Sequence, residues 1–272
     1  MFHPAERLGE LASGNGRFEQ DPFLTPDELT IVFVTDRDVG GKGYIYRATR
    51  AAADVPFEPP AKVVSLSDPS ADQGKVTFAR DFTIAIMASN VASPDGSLWY
   101  GTHEAGTDLD VEWEWDMAPI GAGNKPNETE VDPWISDDGL RLYWTRDFAD
   151  ATSTPTRIDV ATRDSIADSF GAPVALVSHA SENDFDPNLA FEERLMVFGS
   201  TRGTNKTDTN LWFATRTSST PTDPFDPPEP LESINTTAGE TDPWLSRDGC
   251  RVYFSSNANG NDDLFVARMM LP

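Results

Sequence analysis

Short runs of β-branched and aromatic residues recur along the chain, separated by polar clusters rich in Gly, Asp, Asn and Pro. One set reads Thr30-Ile31-Val32-Phe33, Ile84-Ala85-Ile86-Met87, Leu142-Tyr143-Trp144, Leu195-Met196-Val197-Phe198 and Val252-Tyr253-Phe254. A second follows each of these after a Gly- or Asn-rich loop: Tyr44 to Arg50, Leu98 to His103, Arg157 to Arg163, Leu211 to Arg216 and Leu264 to Arg268. Runs this short, bounded by turn residues, predict strands, and apolar periodicity of the helical kind is nearly absent; 162–167 is a turn at most.

Before each first run stands a landmark: Asp21-Pro22-Phe23-Leu24, Asp132-Pro133-Trp134-Ile135, Asp186-Pro187-Asn188-Leu189 and Asp242-Pro243-Trp244-Leu245, with a degenerate copy at Lys75. The copies begin at 21, 75, 132, 186 and 242, so the steps are 54, 57, 54 and 56. A turn with Ser, Pro, Asp or Gly separates landmark and run, as in Ser136-Asp137-Asp138-Gly139 and Ser246-Arg247-Asp248-Gly249, which is hairpin chemistry. A second aromatic landmark (Phe2, Phe57, Trp115, Phe170, Phe225) introduces a short fourth strand, at Ala61 to Leu66, Pro173 to His179 and Pro230 to Ile234. Four strands repeating every 55 residues or so predict propeller blades, five of them here. The fifth blade lacks its outer strand at the C-terminal end, and Phe2 to Leu11, within 1–12, is placed to supply it and close the ring. The expectation is therefore one all-β, five-bladed propeller domain of four-stranded antiparallel blades spanning 1–272.

The strings Glu240-Thr241-Asp242-Pro243-Trp244-Leu245-Ser246-Arg247-Asp248-Gly249, Tyr253-Phe254-Ser255-Ser256 and Asp263-Leu264-Phe265-Val266-Ala267 resemble the WD-like repeat of TolB-type β-propellers. Copies one, three and four fit the pattern well, and copy two only in its second and third strands. The resemblance implies the propeller fold. It leaves function open, because such chains include protein-binding modules and sugar-processing enzymes.

Charge narrows the partners. With 45 acidic and 21 basic residues the net charge is −24, which disfavours nucleic-acid phosphates and anionic membranes and favours small-molecule or cationic ligands, or a protein on the loop face. No run approaches the roughly 18 apolar residues of a membrane span, and no basic and apolar leader opens the chain, so an exported origin would require a signal lying outside this sequence. A single cysteine, Cys250, excludes an internal disulfide. Its position, matching Leu29 and Leu140, predicts a core residue.

Candidate chemistry gathers where the innermost strand of each blade begins. Acid pairs two residues apart (Glu19 and Asp21, Glu130 and Asp132, Asp184 and Asp186, Glu240 and Asp242) face one way in an extended strand and would converge on the propeller axis. Such a funnel suits a divalent cation, calcium first, which wants six to eight oxygens. The competing expectation is that repeated acids build the blades, bonding turn amides or pairing with Arg37 or Arg202.

Departures from the repeat point more sharply to function. Lys75 replaces the axial acid in blade two; His103 replaces the arginine of the other blades (Arg50, Arg163, Arg216); His179, near Ser181, Glu182 and Asp184, replaces an aliphatic residue. A histidine beside carboxylates is a candidate general base or metal ligand, or a hydrogen-bonded structural residue. His3 is expected on the surface. Trp134, Trp244 and Phe23 suit a sugar ring or organic cation, or blade packing. Trp113 and Trp115 are expected partly exposed in an irregular connection of blade two, and the unequal loops 36–43, 90–96, 146–155, 201–209 and 257–262 as specificity elements.

Three readings follow. One is a binding propeller with an acidic, cation-binding mouth. Another is a metal-dependent ester or phosphotriester hydrolase, similar in architecture alone to calcium-dependent propeller enzymes such as paraoxonases, with His179 or a carboxylate activating water and Lys75 or a tryptophan positioning the substrate. The third is a lectin-like propeller. No phosphate-cradling loop, Cys/His zinc spacing or Gly-x-Ser-x-Gly elbow occurs.

Overall fold

The computed structural model describes every residue except 1, 15, 39, 80–81, 91–95, 105–108, 118–127, 149–153, 204–207 and 271–272. Within the loops 90–96, 146–155 and 201–209, residues 91–95, 149–153 and 204–207 therefore lie outside the described residues. The chain forms five four-stranded antiparallel sheets arranged as a propeller. Blade one is β2 (Glu19–Leu24), β3 (Thr30–Thr35), β4 (Tyr44–Thr49) and β5 (Ala61–Lys62), and blade two is β6 (Gln73–Phe78), β7 (Ile84–Ser89), β8 (Ser97–Thr102) and β9 (Glu114–Met117). Blade three is β10 (Glu128–Ile135), β11 (Arg141–Phe148), β12 (Arg157–Thr162) and β13 (Val174–Val177), and blade four is β14 (Asp184–Ala190), β15 (Leu195–Ser200), β16 (Asn210–Thr215) and β17 (Glu229–Pro230). Blade five is β18 (Glu240–Leu245), β19 (Arg251–Ser256), β20 (Asp263–Arg268) and the N-terminal β1 (Glu6–Arg7). β1 pairs with β20 through Glu6 opposite Val266 and Arg7 opposite Phe265, and Phe2 bridges Met269.

Burial follows from the runs of β-branched and aromatic residues. Five apolar clusters, one per blade-to-blade interface, fill the ring; that between blades five and one unites Trp244, Tyr253 and Leu264 with Leu24, Ile31 and Phe33. A repeated polar clamp crosses three interfaces. Arg50 donates through Nε to the Glu28 carbonyl (2.8 Å) and through Nη2 to the Tyr253 hydroxyl (2.8 Å). Arg216 does the same to Glu193 and Tyr143, and Arg163 to Gly139 and Tyr100. The second aromatic landmark caps the clamp: Phe57, Phe170 and Phe225 lie 4.2, 4.5 and 4.5 Å beneath these guanidiniums.

Several local expectations change. Blade two has a regular fourth strand where an irregular connection was expected, because Trp115 pairs opposite Gly101 and its ring lies where a Cβ on that glycine would stand. Trp113 is buried rather than exposed, packed on Phe78 and His103. Cys250 is half-buried in the turn before β19, its amide bonded to Asp248, and not in the core. The fourth strand of blade one stops at Lys62, and Val64–Leu66 forms a 3-10 turn.

Candidate functional site

Each innermost strand carries a one-residue bulge at the landmark: the register shifts between Gln20 and Phe23, Gln73 and Val76, Val131 and Trp134, Phe185 and Asn188, and Thr241 and Trp244. Within it Asp21, Asp132, Asp186 and Asp242 take left-handed φ values of 57°, 52°, 55° and 52°. Aspartate tolerates this region better than most residues. The kink breaks the two-residue alternation and sends the two acids of each pair into different surroundings.

The first acid of each pair is buried within its own blade. Glu19 accepts from Ser13 Oγ (2.5 Å) and Thr35 Oγ1 (3.1 Å) and pairs with Arg37 (3.4 Å); Asp184 pairs with Arg202 (2.6 Å). Glu130 lies 3.9 Å from Arg146, and Glu240 accepts from Thr236 Oγ1 (2.6 Å). The second acids gather on the axis. The Asp242 amide donates to Asp186 Oδ2 (3.0 Å) and that of Asp186 to Thr145 Oγ1 (2.9 Å), and the carboxyl groups of Asp21 and Asp242, and of Asp132 and Asp186, interact across the axis.

Lys75 occupies the fifth place in this ring. It is only 3% exposed, and its Nζ and Asp21 Oδ1 are buried without a hydrogen-bond partner. Burial, reinforced by the neighbouring Asp242 and Asp132, pushes the Asp21 carboxyl well above the usual range; burial with Asp132 and Asp242 does the same to Asp186, and burial raises Asp132. Burial opposes the charge on Lys75, yet the four carboxylates outweigh it and raise its pKa. As arranged here, the ring already contains a cation. Among the described residues no three carboxylate, imidazole or thiol groups form a set able to hold a metal ion.

Two residues further along each strand, a second layer lines the channel: Phe23, Thr77, Trp134, Asn188 and Trp244. It forms the wall of a 600 Å³ funnel at the mouth carrying the β2–β3, β10–β11, β14–β15 and β18–β19 turns. Phe23 packs edge-on to Phe78 of the next blade (5.1 Å), whereas Trp134 and Trp244 pack edge-on to Tyr143 (5.6 Å) and Tyr253 (5.8 Å) of their own blades while joining the interblade clusters, so each aromatic both packs the core and borders the funnel. Asn188 Oδ1 accepts from the Leu245 amide (3.0 Å) of the next blade.

The two interior histidines stay apart from the ring. His179 is exposed on the turn after β13, its Nδ1 accepting from the Ser181 amide (3.3 Å) and lying 3.3 Å from Glu182, while Asp184 is committed to Arg202. His103 keeps half of the arginine clamp: its Nε2 bonds the Phe82 carbonyl, and its ring meets Trp113 edge-on at 4.3 Å. It borders a 320 Å³ cavity with Asp137 and Asp138. His3 is exposed.

The chain is similar to an α-L-arabinofuranosidase from Podospora anserina, solved with cellotriose, at 12% identity, covering 99% of this chain and 96% of that one with a TM-score of 0.64. It is similar to a thermostable family-43 glycoside hydrolase at 14% identity, covering 95% and 92%, TM-score 0.63. TolB from Acinetobacter baumannii matches at 12% identity, covering 92% of this chain and 54% of that one, TM-score 0.55. The likeness is one of fold. No protein-family model matches the chain, and no curated protein matches it.

Sequence reasoning missed the rim of the funnel. Arg247 in the β18–β19 turn pairs with Asp137 in the β10–β11 turn, joining two blades that are not neighbours. Blade four, between them, contributes Phe191-Glu192-Glu193, three consecutive left-handed residues (φ 51°, 56°, 62°), with Phe191 exposed against Gly249. The other described turns of this kind carry a Ser or Thr hydroxyl on an Asp two residues on, as Ser136 on Asp138 and Ser246 on Asp248 (2.6 Å each). Blade four lacks that pair, which is the one signal the sequence offered.

Proposed function

We propose that this chain is a ligand-binding propeller whose site is the aromatic funnel, and that it takes a compact, ring-shaped, hydroxyl-rich ligand of the sugar type. The observation carrying this reading is the layer of Phe23, Trp134 and Trp244 around a 600 Å³ opening, with Thr77 and Asn188 between them. Apolar faces with a few fixed polar groups suit the two-sided chemistry of a pyranose. Local charge supports a ligand without strong positive charge. Arg141, Arg194, Arg216 and Arg247 balance Asp138, Glu192, Glu193 and Asp137 in ion pairs around this mouth, unlike the chain as a whole. Titration of intrinsic tryptophan fluorescence with mono- and oligosaccharides tests it. Saturable quenching that Trp134→Ala abolishes is expected; a panel without response removes the reading.

Hydrolysis at the axial ring is the second reading. It is favoured by carboxyl groups pushed toward the protonated form (Asp21, Asp186) beside further carboxylates, the pairing that acid–base chemistry on a glycosidic or ester bond requires. The neighbours named as glycoside hydrolases and arabinofuranosidases make aryl arabinofuranosides the first substrates to try, with aryl esters and phosphotriesters beside them. Turnover lost in Asp186→Asn, with and without calcium after chelation, would establish it.

A further inference from the structure

The Asp137–Arg247 pair is an ion pair at the funnel mouth that repetition of the blade does not account for. It bridges blades three and five over the turn of blade four. Both residues border the funnel. Their side chains are 58% and 40% exposed, a setting in which an ion pair contributes little to stability and exchanges readily. The other charges of the rim are differently held. Glu193 is buried under Tyr143 (2.5 Å), Arg141 and Arg216; Arg141 also holds Asp138 (3.0 Å). The pair of Arg194 with Glu192 is more exposed still, but Arg194 does not line the funnel; of the two arginines that do, Arg141 and Arg247, Arg247 is the more easily vacated, and what fills it is a carboxylate.

We infer that Arg247 is the specificity-determining residue of the funnel, selecting a ligand that bears a carboxylate, as a uronic acid does, with Asp137 occupying the guanidinium until that ligand arrives. The inference rests on the funnel being the binding site. The planar guanidinium fork matches a carboxylate bidentately. Exchange of one carboxylate for another leaves the charge on Arg247 paired throughout. The displaced Asp137 is already more than half in water and also borders the 320 Å³ cavity beside His103, so release leaves no buried charge unpaired. Trp134, the less buried of the two funnel tryptophans, would hold the sugar face while Arg247 reads the acid. The net charge of −24 does not forbid this, because screening confines distant repulsion to about 8 Å at physiological salt, and the rim itself is balanced.

The test compares methyl glucuronide with methyl glucoside, which differ at one carbon, by tryptophan fluorescence and calorimetry on the intact chain, with glucose 6-sulfate as a third probe. Wild type should prefer the glucuronide by about three-fold, because the contact it makes with Arg247 is offset by the Asp137 contact it displaces, and lose most of that preference in 0.5 M salt. Asp137→Asn frees Arg247 and should tighten glucuronide binding several-fold; Arg247→Gln should erase the preference while the glucoside binds as before. Both positions are exposed, and an unchanged melting temperature would confirm that the variants fold. Equal affinity for the two sugars in wild type and in Asp137→Asn overturns the inference and leaves the funnel reading standing. Equal affinity for sulfate and uronate overturns carboxylate selection. If neither sugar binds either protein, the funnel reading itself falls, and this inference with it.

Discussion

The axial ring and the funnel are successive layers of one channel, two residues apart on the same strands, and they are built on opposite principles. The ring repeats: four blades supply aspartate in the same left-handed bulge, and the fifth supplies the ammonium that the aspartates surround. The funnel varies: phenylalanine, threonine, tryptophan, asparagine and tryptophan occupy equivalent places. Repetition marks what five blades need in order to meet on an axis. Variation marks where the channel departs from its own symmetry. The ring's polar groups are turned on one another, whereas Asn188 in the funnel layer is turned on the backbone of the next blade.

The comparison breaks most visibly at Lys75. Lys75→Met leaves the buried carboxyl groups without their cation, and a cost of about 3–5 kcal/mol is expected from loss of one partner of a buried ion cluster. For a chain of this size that lowers the melting temperature by roughly 10 °C. A fall of one or two degrees would mean that the aspartates do not depend on the lysine.

Next in size is the effect of pH. Asp21, Asp132 and Asp186 have raised values when folded, so the folded chain keeps protons that the unfolded chain has released. Their contribution is complete below the ordinary carboxyl value and is lost as pH rises through the raised ones. Lys75, also raised, contributes at any pH below the ordinary lysine value and is lost only above it. The lowered values of Asp27, Asp38, Asp68, Asp138 and Asp248 act in the opposite sense, but only as pH falls below the usual carboxyl range. Urea midpoints should therefore be higher at pH 5 than at pH 8, with the difference reduced in Asp21→Asn; a flat profile between these values would show that the ring holds no excess protons.

The smallest effect sharpens the contrast. Asn188 belongs to the variable layer yet staples blades four and five through the Leu245 amide. Asn188→Ala should cost about 1–3 kcal/mol for a buried donor left unpaired, seen as a lower urea midpoint, whereas Thr77→Ala should cost less. Equal costs would erase the distinction drawn for Asn188.

The repeat was legible because Asp-Pro, the turn and the β-rich run recur together, and no helix or parallel sheet accommodates that rhythm. What the acid pairs do was not. Alternation predicts that Glu19 and Asp21 share a face, but Asp21 precedes proline, where extended backbone is the ordinary expectation, and its left-handed φ is set by how the strands converge. His103 could be read by position: aligned with three arginines, it makes the carbonyl bond that they make. The pairing of Arg247 with Asp137 was beyond reading, since it joins turns of non-adjacent blades and depends on the diameter of the ring. The fourth strand of blade two was obscured because Trp113 and Trp115, flanked by Glu112, Glu114 and Asp116, read as an irregular connection.

The N-terminal strand gives the molecule an order of events. Arg7 meets Phe265 only after almost the whole chain exists, so on the ribosome the earliest residues must wait, unpaired, for the last blade to emerge. Four blades can fold as they are made; the fifth cannot, and its assembly bears the entropy of closing a loop that spans all the other blades.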